Sequence, residues 1–416
     1  MAVDTTTQAR PALFLCIFFP MVSETFIFDQ MAALRASGVG LRIVSMWRSP
    51  GAVVQDTVVQ HRLMDAAHFA LAARGGVGRA QEALRALARL GARAPATLLR
   101  LLALKLRGRS WNDLAWLALY AKECPRRGQP VSVVANFGQI GRLAVDLRDL
   151  GIIEGPIVTY FHGIDVTEIP SRHAPGFYAR LFEAGDRFLI ASPHFRDPLL
   201  AMGCKPDRIT YCPVGIDVAS FPLRAGRVDD AARVYRIVSV ARLTEKKGLA
   251  YVLEAVAALA PRGRVAYDVI GDGPLRAALE ARAAELGLAG VVTFHGARTR
   301  SEVVAALEGA DVFVQASITT EKGDQEAIPL SIKEAMARGV PVVVTRHGGI
   351  PELVTDGVNG LLAPERDAGA LARQIGRLID DPALRDRLVA AGRATIERDW
   401  DNAVLLPRFA ELVRSA

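Results

Sequence analysis

The sequence predicts an α/β protein made of two tandem, Rossmann-like, doubly wound parallel-sheet domains with a cleft between them. Three observations lead there. Short, almost wholly apolar runs alternate with segments of helical length, the pattern of parallel strands covered on both faces. That pattern lapses between residues 218 and 233, in a stretch that holds Pro222 and ends in charge, and then restarts. A chain of 416 residues also exceeds what one such sheet needs, at a usual size of about 100–200 residues per domain.

In chain order, the first strand is read at 11–19, where an apolar run ends at Pro20. Ser23-Glu24-Thr25 then opens a helix that runs to Ala36 and stops at Ser37-Gly38, with the next strand at 41–47. From 78 to 109 the pattern is helical and strongly basic. Strands follow at 131–137, 157–161, 187–191 and 209–211. The second of these runs into His162-Gly163-Ile164-Asp165, the third into Ser192 and the fourth towards Gly215. Open parallel sheets bind ligands at the C-terminal ends of their strands, so His162, Ser192 and Gly215 are expected to open on one crevice. Beyond the linker, strands are read at 236–240, 265–270, 291–294, 312–316 and 340–345. The predicted division is a domain 1–222, a domain 223–395 and a terminal helical segment 396–416.

The net charge of +7 is unevenly spread. Lys and Arg number 25 against 18 Asp and Glu up to Pro222, and 26 against 26 beyond it. Arg85, Arg89, Arg93, Arg100, Lys105 and Arg107, interleaved with leucines and followed by Trp111 and Trp116, read as a basic amphipathic surface for anionic lipid. The plainer reading is a solvated outer helix whose leucines face the domain core. No nucleic-acid-binding motif accompanies the charge, so no nucleic-acid partner is expected. No signal peptide is read at the N-terminus. Four scattered cysteines suit a reducing, cytoplasmic setting.

The chemistry concentrates after residue 240. Glu326 and Glu334 are eight positions apart around Pro329. Pro329 suits a first helical turn, which puts Glu326 in the loop before the helix and Glu334 on its second turn. A phosphate joined to hydroxylated rings fits such a helix N-terminus flanked by carboxylates. Arg242 and Lys247 flank a strand-to-helix turn, and two cations that close suit a diphosphate. Gly271-x-Gly273 and Gly348-Gly349 read as tight turns. His162 directly follows a strand and precedes Gly163 and Asp165. No HxH, HExxH or CxxC spacing occurs, so no metal is expected.

Together these motifs resemble a known family. The Arg242…Lys247-Gly248 turn, Gly271-Asp272-Gly273-Pro274, Glu326-x7-Glu334 and Gly348-Gly349-Ile350-Pro351-Glu352 look like the retaining glycosyltransferases of family four. Ser23-Glu24-Thr25-Phe26, Phe161-His162-Gly163-x-Asp165 and Gly215-Ile216-Asp217 are similar to the colanic acid and amylovoran branch of exopolysaccharide enzymes. The resemblance implies the GT-B fold, donor nucleotide on the second domain and acceptor on the first. It places Arg242 and Lys247 on the donor diphosphate, Glu334 on the ribose, Glu326 on the donor sugar and His162 near the reaction centre. Gly271, Ile328 and Leu330 join the donor site. Ser23, Glu24, Thr25, Asn136 and Asp165 fall on the acceptor side. It also implies that the segment from Trp400 crosses back onto the first domain. Ala327 departs from the family's usual glycine, and Asn136 from a histidine.

The implied activity is transfer of a hexose from a UDP- or GDP-sugar to a lipid-linked or soluble saccharide. The departing phosphate takes the acceptor's proton, and no metal or other cofactor is needed. The implied location is peripheral, on the cytoplasmic face of the inner membrane. A nucleotide-sugar epimerase or a phosphorylase on the same fold is the enzymatic alternative; the Glu326–Glu334 module argues against the first and the lack of a pyridoxal-binding lysine motif against the second. A non-catalytic carbohydrate-binding or membrane-tethering module is the alternative of another class, and it predicts loss of Arg242, Lys247 or Glu326.

Overall fold

The computed structural model describes residues 10–21, 24–49, 55–72, 76–106, 110–125, 128–224 and 233–416. Seven strands form the first sheet: β1 (Ala12–Phe19), β2 (Leu41–Arg48), β3 (Ala67–Phe69), β4 (Ser132–Asn136), β5 (Ile157–Phe161), β6 (Arg187–Ile190) and β7 (Ile209–Tyr211). They lie in the order β3-β2-β1-β4-β5-β6-β7, all parallel. All five residues of β4 and of β5 are buried, so these strands read as unbroken apolar runs. The winding reverses between β1 and β4, and a crevice opens beyond strand C-termini at such a reversal.

The second sheet repeats the plan. Its strands are β8 (Tyr235–Val240), β9 (Val265–Ile270), β10 (Val292–Gly296), β11 (Val312–Gln315), β12 (Val342–Thr345) and β13 (Leu361–Ala363). Their order is β10-β9-β8-β11-β12-β13, again parallel, with the reversal between β8 and β11. Arg242 follows β8, and the loop holding Glu326 follows β11. Helix Leu330–Arg338 starts after Pro329, leaving Glu326 in the loop and Glu334 on the second turn.

The chain crosses between domains a second time near its end. Ile216 donates its N–H to the Trp400 carbonyl at 3.0 Å and accepts from the Asn402 N–H at 2.8 Å. Helix Asn402–Arg414, capped by Asp401, sinks Phe409, Ala410 and Val413 into the first domain's core beside Phe28 and Met31. Lys333 Nζ lies 4.1 Å from the Trp400 ring centre and donates to the Val214 carbonyl, so the crossing is fastened to both domains. Gly215 packs here too. A Cβ at this position would lie 2.6 Å from the Trp400 carbonyl oxygen, so Gly215 serves the crossing and not the crevice.

Candidate active site

A cavity of about 490 Å³ lies between the C-terminal edges of the two sheets, where both reversals point. From the second domain it is lined by Arg242, Lys246, Lys247 and Glu326. The short turn Glu245–Lys247 curls both lysines inward, and Gly248 takes a left-handed φ of 62° where any Cβ would collide with the Ala316 carbonyl. Lys247 Nζ is 2.9 Å from Glu326 Oε1, and Lys246 Nζ is 3.6 Å from the same oxygen and 3.0 Å from Asp324 Oδ2. Burial alone would raise the Glu326 pKa, but Lys247 and Lys246 outweigh it and hold the carboxyl at about 2. Burial works against the charge on Lys246 as well, and Glu326 and Asp324 reverse it, raising its pKa. Glu326 is therefore a fixed anion and Lys246 a fixed cation. Arg242, Lys246 and Lys247 thus gather at one end of the cavity, the lysines on Glu326 and Asp324 and Arg242 within electrostatic reach of Glu24. Oε1 of Glu326 is buried against the two lysines.

A second layer holds Glu326 in place. Its N–H donates to His347 Nε2 at 3.0 Å, so that nitrogen carries no hydrogen. The proton sits on Nδ1, which donates to Glu365 Oε1 at 2.6 Å. Glu365 also accepts from the Thr319 N–H at 2.8 Å.

The first domain supplies the opposite wall. His162 is packed against Phe26, Tyr160 and Phe137, with ring centres 4.6, 4.3 and 5.0 Å away. Burial pushes its pKa down to about 3, so it is neutral. Asn136 Nδ2 donates to Gln30 Oε1 at 3.2 Å, which turns Asn136 Oδ1 towards His162 Nε2 at 2.8 Å. His162 Nε2 is thus the protonated nitrogen and Nδ1 an acceptor. Glu24 lines the same cavity; burial pushes its carboxyl up to about 7, with Arg242 pulling the other way.

The expected residues separate into two groups. His162, Asn136, Glu24, Arg242, Lys247 and Glu326 meet in this cavity. Others do not. Asp165 is fully buried and its carboxylate accepts the N–H groups of His162, Gly163 and Gly138 at 3.0, 2.8 and 2.9 Å, so it shapes the loop and does not face an acceptor. Thr25 lines a separate cavity of about 400 Å³. Ile328 is core, and Leu330 packs against that core. Gly271 has φ 132°, and a Cβ there would collide with the Ala241 carbonyl, so its role is close backbone packing behind Arg242. Glu334 lies outside the cavity, among the charges of Arg300, Asp29 and Lys333, and burial raises its pKa. Ser23 lies outside the described residues.

Lys246, Asp324, His347 and Glu365 had no place in the sequence-based site. The adjacent Lys246-Lys247 and the His347-Gly348-Gly349 turn were the available signals. A clasp across the cleft was also missed. Ser192 Oγ donates to Glu352 Oε1 at 2.6 Å, the His194 N–H reaches the same oxygen at 3.0 Å, and His194 Nε2 is 2.6 Å from Gln325 Oε1. Ser192 therefore spans the crevice instead of opening into it.

The basic segment forms helices Gly76–Arg93 and Pro95–Leu106, packed on helix Trp111–Glu123. Ala86 and Leu101 are buried, whereas Arg85, Arg89, Arg93, Arg100 and Lys105 are exposed together with Leu84, Leu99 and Trp111. Arg107 lies outside the described residues. Among the described residues no helix is long and apolar enough to cross a membrane, and no group of three His, Cys, Asp or Glu could hold a metal ion.

Two facing parallel sheets with a cationic cleft between their C-terminal edges make the GT-B architecture of glycosyltransferases. Anabaena HepE, solved in complex with UDP, shares the fold with a TM-score of 0.69 at 17% identity, covering 98% of this chain and 100% of that one. So does the sucrose-phosphate synthase of Thermosynechococcus elongatus, with a TM-score of 0.69 at 19% identity over 98% and 99% of the two chains. In sequence, the glycosyl transferases group 1 profile matches residues 231–395. The protein named colanic acid biosynthesis glycosyltransferase WcaL in Salmonella typhimurium is 35% identical over 97% of this chain and 99% of its own. The amylovoran biosynthesis glycosyltransferase AmsK of Erwinia amylovora is 34% identical over 96% and 98%. The chain belongs to the glycosyl transferases of group 1.

Proposed function

We propose that this glycosyltransferase moves a hexose, with retained configuration and without a metal ion, from a UDP- or GDP-sugar to a saccharide acceptor in exopolysaccharide or other cell-surface glycan synthesis. The observation that carries the reading is the cluster of cations at one end of the cavity, where Lys246 and Lys247 hold the ionised Glu326 and Arg242 lines the same wall. As the bond from anomeric carbon to phosphate breaks, negative charge grows on the departing diphosphate. Cations fixed beforehand stabilise it without rearranging. Glu326, which lines the cavity, accepts hydrogen bonds from hydroxyls of the donor sugar. Glu334 holds the ribose beyond the cavity.

His162 has too low a proton affinity to shuttle a proton near neutrality. On a front-side route the acceptor hydroxyl approaches the face that the phosphate is leaving, and a phosphate oxygen takes its proton. No carboxylate nucleophile is then needed, unlike in retaining glycosidases. The names of the WcaL and AmsK relatives support the exopolysaccharide setting. The exposed arginines and leucines of the basic helices support a lipid-linked acceptor, met on an anionic membrane at the cytoplasmic face.

The test is a thermal-shift screen against UDP- and GDP-sugars, followed by nucleotide release with a panel of glycoside acceptors and NMR of the product's anomeric proton. A ligand bound only by the folded state raises its stability with concentration. An inverted anomer would reject the front-side route, and failure of every sugar nucleotide to bind would reject the donor assignment.

A further inference from the structure

Glu326 belongs to the second domain, yet the residues on either side of it are held by the first. The Gln325 N–H donates to Thr167 Oγ1 at 3.3 Å. Thr167 Oγ1 in turn donates to the carbonyl of Gly163, the residue after His162, at 3.1 Å. His194 Nε2 lies 2.6 Å from Gln325 Oε1, the nitrogen donating. The Gln325 carbonyl comes so near Gly163 that a Cβ there would lie 3.0 Å from it. On the other flank Ala327, which stands where the family usually has glycine, packs against both core layers of the first domain. The outer two of three consecutive residues are thus gripped across the cleft, and the middle one faces the cavity.

Holding the domains together is already served elsewhere. Ser192 and the His194 N–H fasten Glu352, and the returning chain pairs with Ile216. The grip on Gln325 and Ala327 differs in where it acts. Within the second domain, Glu326 is fixed by its N–H to His347 and by its carboxylate to Lys247. The course of the chain just before and just after it is set by the first domain. Arg242 and Lys247 stand instead on the loop after β8, and the groups that grip Gln325 and Ala327 do not include them. A displacement of about 1 Å in a group that orients a substrate costs a large part of the rate.

We propose that His194, Thr167 and Gln325 are positioning residues that, with Ala327, set the Glu326 carboxylate at the hydroxyls of the donor sugar. The diphosphate subsite is then complete within the second domain, whereas the sugar subsite is completed by the first. This rests on the glycosyl-transfer reading and adds to it a division of the donor site between the domains. The nucleotide binds through Arg242 and Lys247 wherever the first domain stands. The sugar is aligned only while the loop that carries His162 rests on Gln325, so alignment of the donor requires the acceptor's wall to be in place.

The experiment uses the full chain and a sugar nucleotide that the parent turns over. His194→Ala with Thr167→Val removes both polar holds on Gln325; His194 is exposed and Thr167 half-buried, so the fold is not at stake. Turnover should fall at least about tenfold, as the loss of two hydrogen bonds permits, while affinity for the free nucleotide stays within about twofold of the parent's. His194→Gln with Thr167→Ser keeps a donor and a hydroxyl at these positions and should recover most of the turnover. In a Glu326→Gln background the same two removals should cost no more than about twofold, because they act through a carboxylate already lost. An equal loss with and without Glu326, or a parallel loss of nucleotide affinity, overturns the inference and leaves contacts that merely join the domains. So does unchanged turnover. Full activity of Glu326→Gln alone removes the donor-sugar assignment, and no turnover of any sugar nucleotide removes the transferase reading; the inference falls with either.

Discussion

Lys247 Nζ lies 2.9 Å from Glu326 Oε1, and that one contact ties the loop after β8 to the loop after β11 across the reversal of the second sheet. The pair is buried and shares its oxygen with Lys246. Removing either partner therefore does more than delete a charge.

Lys247→Met removes a cation from the leaving-group end and frees Glu326 to repel the diphosphate. It should weaken UDP or GDP binding by titration calorimetry and lower turnover at least about tenfold, or about 1.4 kcal/mol of barrier. Glu326→Gln keeps the shape but loses the anion that receives the donor sugar. Here the free nucleotide should bind as well as before or better, while kcat with the sugar nucleotide falls by at least about tenfold. Equal losses of nucleotide affinity in both variants would contradict the division of labour.

The Glu24 carboxyl gives the site a titration near neutrality. Its ordinary value is 4.5, and burial raises it to about 7 in the folded chain. Below 4.5 both folded and unfolded chains carry it neutral, and above 7 both carry it ionised, so the folded state bears its cost at high pH. Glu24→Gln should accordingly raise Tm at pH 8 and change it little at pH 4.5. Turnover of the parent should also change through pH 7, and the glutamine variant should lose that inflection. The same Tm difference at pH 4.5 and pH 8 would show the carboxyl to be solvated instead.

The sheets were largely legible because their central strands are buried on both faces and appear as unbroken apolar runs. The two strands that escaped, Ala67–Phe69 and Leu361–Ala363, are three residues long and sit at sheet edges, where no such run is required. In the site, spacing placed Glu326 and Lys247 but could not say which way neighbouring side chains turn. Lys246 points inward because a tight 3₁₀ turn holds it there, although adjacent residues in extended chain would diverge. Asp165 stands in a motif beside His162 and looks chemical, yet its oxygens are taken by backbone N–H groups. Whether a polar residue faces a ligand or its own loop depends on contacts distant in sequence. His347 and Glu365 illustrate this, since only the fold brings them behind Glu326.

Asp29 joins three parts of the chain at the domain boundary. Its Oδ2 accepts from Arg300 Nη2 at 3.4 Å and from Asn402 Nδ2 at 3.2 Å, linking the first domain to the second and to the returning helix. Asp29→Ala leaves Asn402 without this partner and Arg300 drawn towards Glu334. The expected loss is about 1–3 kcal/mol, the usual cost of stranding buried polar partners. Denaturant unfolding measures it, and an unchanged midpoint would show that the domains are held elsewhere.

The basic helices separate charge from apolar contact in a way that vesicle binding can resolve. Arg85, Arg89 and Arg93 project from one helix, while Leu84 and Leu99 are 66% and 68% exposed among them. A Lys or Arg near an anionic bilayer contributes about 1 kcal/mol, so reversing three arginines to Glu should weaken binding to phosphatidylglycerol-containing vesicles by more than about 100-fold. That term is screened within a Debye length, so the parent's binding should fall steeply as salt rises. Leu84→Ser with Leu99→Ser removes inserted apolar area, and its deficit should persist at high salt. In sedimentation assays the two variants should therefore diverge with ionic strength. Binding by the arginine variant equal to the parent's at low salt would mean that this face is solvated and does not meet a membrane.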